Sequence, residues 1–166
     1  INSDRHDLSA AVAANYAPLR VVPQGLINGL ALAPYPEYAL TVVAEVAPPQ
    51  IDGVDLQATS IVFAGKRVVV SYNTAGDVQQ GAIDVFTIDS NRNLALTSRA
   101  TFDDTDVNAV ASAGGRVWLA TATSDETFGT PAVLEGMSIT DSGALTLDDH
   151  VRVALSSFAA TGVTVG

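Results

Sequence analysis

Ala64-Gly65-Lys66-Arg67-Val68 recurs about 50 residues later as Ala113-Gly114-Gly115-Arg116-Val117, and Val163-Thr164-Val165-Gly166 resembles the opening of a third copy. In the first two copies, glycine follows an apolar run and precedes another run rich in valine or leucine. Glycine adopts the positive φ of a short hairpin turn at little steric cost, so each copy predicts a tight β-hairpin. Repetition at a fixed spacing predicts an architecture of equivalent units.

Short apolar runs dominate the chain from Tyr38 onward. They are rich in Val, Thr, Ile and Ala and are separated by Gly, Asp, Asn and Ser, which is typical of an all-β protein. The predicted strands are Leu40–Val46, Thr59–Ala64, Arg67–Tyr72, Ala82–Asp89, Leu94–Phe102, Val107–Ala113, Arg116–Thr121, Ala132–Thr140, Leu145–Leu155 and Phe158–Val165.

These strands group into units of four. Each unit runs inner strand, second strand, longer loop, third strand, tight turn and outer strand, which is the four-stranded antiparallel meander of a β-propeller blade. The units cover about residues 55–102 and 104–155, and a third begins at about 157. We therefore expect residues 38–166 to form about two complete blades plus flanking strands, as part of a larger propeller.

Two blades do not close a ring, since a propeller takes at least about four of them to leave no exposed edge. Three interpretations follow. The chain is a portion of a longer propeller, it is completed by other chains in an oligomer, or its strands form another all-β arrangement such as a sandwich.

Residues 1–37 differ in character and are expected to form an N-terminal extension. Asn2-Ser3-Asp4 supplies a capping residue ahead of apolar residues at helical spacing, namely Leu8, Ala11, Val12 and Tyr16. Pro18 ends this short predicted helix. The stretch up to Pro36 is rich in proline and glycine, which indicates an irregular connector.

Composition and charge narrow the choice of partners. The chain carries 18 acidic against 8 basic residues, a formal net charge of -10 that repels phosphate backbones and argues against nucleic acid. It contains no cysteine, which excludes disulfides and thiolate chemistry. Its apolar runs are interrupted well before the roughly 18 residues of a membrane-spanning helix, so no membrane span is predicted.

The loops between the second and third strands, at 73–81 and 124–131, form the expected recognition surface. Loops at one end of a repeat array carry function, whereas strands carry packing. The expected ligand contacts are Tyr72, Asn73, Asp77, Gln79, Gln80, Asp125, Glu126 and Phe128. The competing interpretation is a pair of solvated loops without a ligand.

The densest group of oxygen ligands is formed by Asp103, Asp104 and Asp106. Carboxylates close together on a turn suit a hard cation such as calcium. The spacing lacks the glycine and the distal glutamate of an EF-hand loop, so a solvated turn between blades is the competing interpretation. Apart from calcium, no cofactor is predicted.

Acidic residues also occur within the predicted strands. Asp84 and Glu135 occupy nearly equivalent places in the two third strands, where repeated acids line a channel, hold blades together or face solvent. Asp148-Asp149-His150 lies in an outer strand, and because successive strand residues face opposite ways, it is interpreted as a charged, solvated edge. Neither a Gly-x-Ser-x-Gly turn nor a phosphate-binding glycine loop is present, so nucleophilic and nucleotide-dependent catalysis are unsupported.

A family resemblance lies in the first unit. Arg67-Val68-Val69-Val70-Ser71-Tyr72-Asn73, then Gly76-Asp77, then Gly81-Ala82-Ile83-Asp84-Val85-Phe86-Thr87-Ile88-Asp89 resembles the propeller repeats of bacterial cell-surface proteins of the LVIVD type. The resemblance covers about 110 residues and weakens at Leu134-Glu135-Gly136-Met137, where Gly136 is expected to interrupt the strand. It implies an extracellular, periplasmic or cell-surface propeller, and it carries over no catalytic residue.

Together these features favour a non-enzymatic binding or scaffold module that recognises a protein or a glycan through its loops. Further blades of the same protein are the other expected partner. One alternative is a lactonase-like, metal-dependent hydrolase, which requires acidic, Asn or His side chains from several blades to converge on one point. Another is a structural subunit of an extracellular assembly, whose copies form a homo-oligomer by pairing the exposed edge strand Phe158–Val165.

Overall fold

The computed structural model describes residues 19–20, 39–40, 42 and 44–166, and the chain divides into two compact units, 1–43 and 44–166. In the first unit, strand β1 (Leu19–Arg20) pairs antiparallel with β2 (Ala39–Leu40). The helix predicted between Leu8 and Tyr16 lies outside the described residues. The described stretches contain no helix long and apolar enough to cross a membrane.

Two four-stranded antiparallel sheets make up most of the second unit. After a short hairpin of β3 (Gln50–Ile51) and β4 (Val54–Asp55), the first sheet contains β5 (Gln57–Ala64), β6 (Arg67–Asn73), β7 (Gly81–Ile88) and β8 (Leu94–Phe102). The second sheet contains β9 (Thr105–Ala113), β10 (Arg116–Thr123), β11 (Ala132–Ile139) and β12 (Leu145–Ala154). Each sheet is a simple meander in which consecutive strands are neighbours. The all-β prediction is confirmed, and these eight strands end within two residues of their predicted limits.

The strands predicted at the two flanks differ from the structure. Within the strand predicted over Leu40–Val46, residues 42 and 44–46 belong to no strand. No strand forms over Phe158–Val165. A strand requires a partner along its length, and this terminal segment makes only isolated hydrogen bonds to the second sheet, through Ala160.

The two sheets share local details that the recurring sequence places at matching positions. Gly65 and Gly114 both adopt the left-handed conformation in the tight turns after β5 and β9, with φ of 65° and 58°. Each first strand also contains one bulged residue, Thr59 in β5 and Asn108 in β9, at the same distance before its turn. The corresponding residues of the two sheets can therefore be matched one to one.

Gly136 does not interrupt its strand. It lies within β11 directly opposite Trp118 of β10, and a β-carbon on it would lie 2.7 Å from the indole ring. The Arg116 guanidinium covers the ring, 5.3 Å from its centroid. The glycine therefore gives the tryptophan room to lie flat across the sheet, which is the physical reason why the sequence motif changes here.

The main core lies between the two sheets. Its buried members are Val69, Ile83 and Val85 from the first sheet and Val107, Val110, Val117, Leu119 and Met137 from the second. A second cluster covers the opposite side of the first sheet and contains Ile51, Leu56, Val68, Val70, Tyr72, Ala82 and Phe86. The removal of these apolar side chains from water is the main stabilising contribution to the unit.

The two sheets contact each other through non-equivalent faces. We define face A of the first sheet as the side of Val69 and face B as the side of Val70; the matching residues of the second sheet are Trp118 on face A and Leu119 on face B. The central core joins face A of the first sheet to face B of the second. A two-fold symmetric sandwich would instead join equivalent faces.

Candidate functional site

Each sheet contains a buried carboxylate that lies directly opposite an arginine. Asp84 of β7 pairs across the sheet with Arg99 of β8, and Glu135 of β11 pairs with Arg152 of β12. Both acids are completely buried. The predicted equivalence of the two acids therefore extends to their partners, and both acids lie on face B. Of the three predicted alternatives, a solvent-facing position is excluded.

The pair in the first sheet is a closed ion pair. Arg99 donates from Nε and Nη2 to the two carboxylate oxygens of Asp84 over 2.6 and 2.8 Å. The hydrogen bond to Asp84 raises the pKa of Arg99. Burial raises the pKa of the neighbouring Tyr72 to about 12, and the negative charge of Asp84 adds to the rise. Both carboxylate oxygens of Asp84 are thus bonded to the guanidinium, which indicates a structural role.

The neutral Tyr72 phenol predicts a loss of stability at alkaline pH. The folded state holds the phenol proton up to a pKa of about 12, whereas the unfolded chain releases it near the ordinary value of 10.0. The contribution is therefore complete below pH 10.0 and declines as pH rises to about 12, a loss of about 2 to 3 kcal/mol. Urea unfolding of the wild type and Tyr72→Phe across this range checks it: we expect the wild type to lose stability faster, and parallel curves would contradict the assignment.

The pair in the second sheet is arranged differently, because Thr121 stands where the first sheet has Tyr72. Glu135 Oε2 lies 2.8 Å from Nε2 of His150, and Glu135 Oε1 lies 3.4 Å from Nε of Arg152. The Thr121 hydroxyl, which donates to the carbonyl oxygen of Val133 over 2.9 Å, also lies 3.5 Å from the same Oε1. One buried carboxylate is thus shared among three groups. The interpretation of His150 as part of a solvated edge needs correction, since its ring contacts a buried acid.

Arg152 connects this buried acid to the loop between β10 and β11. Its Nη1 lies 3.5 Å from Oδ2 of Asp125, and its guanidinium lies over the ring of Phe128, 4.3 Å from the centroid. Asp125 Oδ1 also accepts a 3.0 Å bond from the Thr127 backbone N–H and caps the 3₁₀ turn Glu126–Phe128. The hydrogen bonds from Thr127 lower the pKa of Asp125. These contacts hold the loop in one conformation.

The two loops predicted to carry recognition lie side by side. An open pocket of about 360 Å³ is lined by Gln79 from the β6–β7 loop and by Thr123, Ser124, Asp125, Glu126, Gly129, Thr130 and Pro131 from the β10–β11 region. Three of the predicted contact residues, Gln79, Asp125 and Glu126, therefore share one pocket. Phe128 is not among the lining residues, and its ring contacts the guanidinium of Arg152.

The other predicted contact residues have different surroundings. Tyr72 is buried in the second core cluster, so it does not reach the loop surface where ligand contact was expected. The Asn73 side-chain amide donates to Oδ1 of Asn108 over 3.0 Å. The Gln80 backbone N–H donates to Oδ1 of Asp106 over 3.1 Å. Asp77 is exposed on the β6–β7 loop outside the pocket lining.

The three aspartates predicted to hold calcium have separate environments. Asp103 is exposed, and Asp104 accepts a 2.8 Å bond from the hydroxyl of Thr105. Asp106 is half-buried beneath the β6–β7 loop, where burial raises the pKa of its carboxyl group. Over the part of the chain that the structure describes, no group of three or more His, Cys, Asp or Glu residues is placed to hold a metal ion. Calcium binding stays a prediction.

Comparisons with known proteins assign no family. No family model matches the chain, and a search of the curated proteins finds no match. The resemblance to LVIVD-type repeats, and the extracellular location that it implies, therefore stay predictions.

Sequence reasoning missed the arginines and His150 as partners of the buried acids. The signal was present, because Arg99-Ala100-Thr101-Phe102 parallels Arg152-Val153-Ala154-Leu155 in the sequence. An acid buried in a third strand requires a cation or donor on a neighbouring strand. Placing that cation requires the register of the third and fourth strands, which turn length and the bulges determine only in the folded sheet.

Proposed function

We propose that this chain is a non-enzymatic binding module of an exported or cell-surface protein, and that it recognises a partner protein through the pocket between its two long loops. One observation carries this proposal: Gln79 from one sheet and Asp125 and Glu126 from the next converge on a single pocket. The Arg152 contacts hold the Asp125 loop in advance of binding, which reduces the entropy lost when a partner docks.

The chemistry of the lining favours a cationic side chain of the partner. Two acidic residues and a glutamine, Asp125, Glu126 and Gln79, line the pocket, while Arg152 is already engaged with Asp125 and Glu135. The chain's net charge of -10 adds a field that attracts basic segments. Sugar hydroxyls could use the same acceptors, so a glycan is the outcome that a test must separate from a basic peptide.

We further propose that each four-stranded sheet is a propeller blade. The innermost strands support this, because β9 contacts β5, β6 and β7, whereas the outer strands β8 and β12 approach each other only slightly. Adjacent blades of a propeller are arranged in this way: they are close together at their inner strands and farther apart at their outer strands. The packing of face A on face B agrees, since rotation about a common axis brings non-equivalent faces together.

Binding to immobilised peptides of graded arginine and lysine content tests the proposed function. We expect the protein to retain basic peptides and Glu126→Gln to weaken their binding about tenfold, the effect of losing one charge-assisted contact. Asp141→Asn, which removes the same charge from an exposed turn of β11–β12, is the matched control and should bind as the wild type does. Equal weakening by both variants would mean that peptide binding depends on the net charge of the protein and not on the pocket.

A glycan array probed with the same three proteins completes the test. If the protein binds glycans, Glu126→Gln removes this binding, and basic peptides are not retained, then the partner is a glycan and not a protein. Absence of binding to either set would overturn the pocket as a recognition site.

A further inference from the structure

Ala160 is bonded to the second sheet in the same way as Val107 of β9 is bonded to the first sheet. In the first sheet, the bulged residue Thr59 donates from its hydroxyl to the carbonyl oxygen of Val107 in β9 over 2.7 Å. In the second sheet, the matching bulged residue Asn108 donates from its side-chain amide to the carbonyl oxygen of Ala160 over 3.0 Å. Ala160 therefore takes the place, relative to the second sheet, that Val107 takes relative to the first.

A backbone bond strengthens this correspondence. The N–H of Ala160 donates to the carbonyl oxygen of Thr121 over 3.1 Å. The matching carbonyl oxygen in the first sheet is that of Tyr72; this oxygen and the backbone nitrogen of Val107 each lie 2.8 Å from the position that a β-carbon on Gly81 would take. Residues 159–165 thus start at the place on the second sheet that corresponds to the start of β9 on the first sheet. The described residues provide no partner strand for them.

The outer part of face A of the second sheet is uncovered. On the first sheet, Ala100 and Phe102 of β8 pack against the central core that the second sheet completes. Their counterparts by sequence are Val153, which is 46% exposed, and Leu155, which is 37% exposed. Val151, on the same face, is 40% exposed. Positions that an adjacent sheet covers on one side of the molecule are therefore open to solvent on the other.

We propose that face A of the second sheet, together with residues 159–165, is the docking site for a β-strand of a partner polypeptide. This strand pairs with the backbone of residues 161–165 and covers Val153 with aliphatic side chains. The central core indicates its chemistry: β10, which pairs with β9, presents Val117 and Leu119 at alternate positions toward the first sheet. The partner strand should carry the same alternation of aliphatic residues.

This docking site is independent of the pocket between the loops. It uses face A of the second sheet, whereas the buried acid that supports the pocket lies on face B. It also differs from simple edge pairing, because the site includes an apolar surface beneath the pairing strand. Failure of one proposal therefore leaves the other intact.

A labelled synthetic peptide with the sequence of β10, residues 116–123, is the probe. We expect its fluorescence anisotropy to rise on titration with the full chain, and a scrambled peptide of the same composition to give no rise. Val153→Asp should weaken binding at least tenfold, because it places a charge under the docked strand. Phe63→Asp, at a 67% exposed position on the first sheet, is the matched control and should leave binding unchanged.

Proline substitutions test the pairing itself. Successive backbone N–H groups of a strand point to opposite sides, so one of Val163→Pro and Thr164→Pro removes a donor to the partner. We expect at least one of them to weaken peptide binding about tenfold. Unchanged binding in Val153→Asp and in both proline variants would overturn the site, as would a failure to distinguish the β10 peptide from its scrambled form. If the peptide does not bind but the protein forms concentration-dependent dimers that Val153→Asp abolishes, then the occupant of the site is a second copy of this chain and not a partner strand.

Discussion

Replacing Gly81 with alanine is expected to destabilise the protein by about 3 kcal/mol, at the upper end of overpacking effects. A β-carbon at this position would lie 2.6 Å from the carbonyl oxygen of Thr105 and 2.8 Å from the backbone nitrogen of Val107. Both atoms belong to β9, whereas Gly81 begins β7 of the other sheet. Backbone atoms held in a β-ladder cannot move aside as the end of a flexible side chain can, so the two sheets would have to separate.

Urea unfolding monitored by circular dichroism measures this effect. Gly162→Ala is the matched control, because a β-carbon added there would have no atom within 4 Å and the backbone at Gly162 is not left-handed. For this control we expect a change within about 0.5 kcal/mol. A Gly81→Ala variant as stable as this control would contradict the close approach of β7 and β9.

Most of the fold of residues 57–154 follows from local sequence patterns. The eight strands alternate apolar and polar residues or form short aliphatic runs. The tight turns after β5, β9 and β11 carry glycine where the backbone is left-handed, whereas the β7–β8 turn carries Arg92 there. Gly65 and Gly114 show why such turns are readable from sequence, since each adopts the left-handed conformation that a two-residue hairpin demands. Hairpin connections then determine the order of strands, because neighbours along the chain become neighbours in the sheet.

The terminal strands were not predictable in the same way. The run Val163-Thr164-Val165 has a high β propensity, yet a strand forms only where a partner supplies a ladder of hydrogen bonds. The β propensity is a property of the segment itself, whereas the strand that pairs with it has to come from elsewhere in the fold. A similar limit applies to Tyr72, whose position at the end of a strand suggested a loop contact, whereas strand alternation turns its side chain into a core cluster.

The candidate site was predictable in its location but not in its internal contacts. Long, polar loops between second and third strands identified Gln79, Asp125 and Glu126, which share the pocket. The support behind the pocket depends on Arg152 reaching both Glu135 and Asp125, two residues ten positions apart in sequence. Such a contact follows from strand register and side-chain length together, and neither is visible in a single sequence without the fold.

Arg99→Met is the other substitution with a large expected effect, a destabilisation of about 3 kcal/mol. It removes the cation from Asp84, whose side chain is fully buried, and leaves a carboxylate without its two hydrogen bonds from the guanidinium. This loss is at the low end for a broken buried pair, because the Arg99 side chain is itself 35% exposed and water can partly replace it. Chemical unfolding at neutral pH measures the loss.

The double variant Asp84→Leu with Arg99→Met separates the cost of an unpaired charge from the value of the pair. Burial of an ion pair gains little over apolar side chains of similar size, so we expect the double variant to regain most of the stability that Arg99→Met loses. A double variant no better than the single one would mean that the arginine acts through packing of its aliphatic stem.

Arg152→Met in the second sheet provides a comparison within the same molecule. Glu135 is as deeply buried as Asp84, yet it retains His150 at 2.8 Å after Arg152 is removed. We therefore expect a smaller destabilisation, about 1 kcal/mol, comparable to one ordinary hydrogen bond. The same variant should weaken the pocket, because Asp125 and Phe128 lose the group that holds their loop. Equal losses of stability from Arg99→Met and Arg152→Met would contradict the distinction between a closed ion pair in the first sheet and a shared carboxylate in the second.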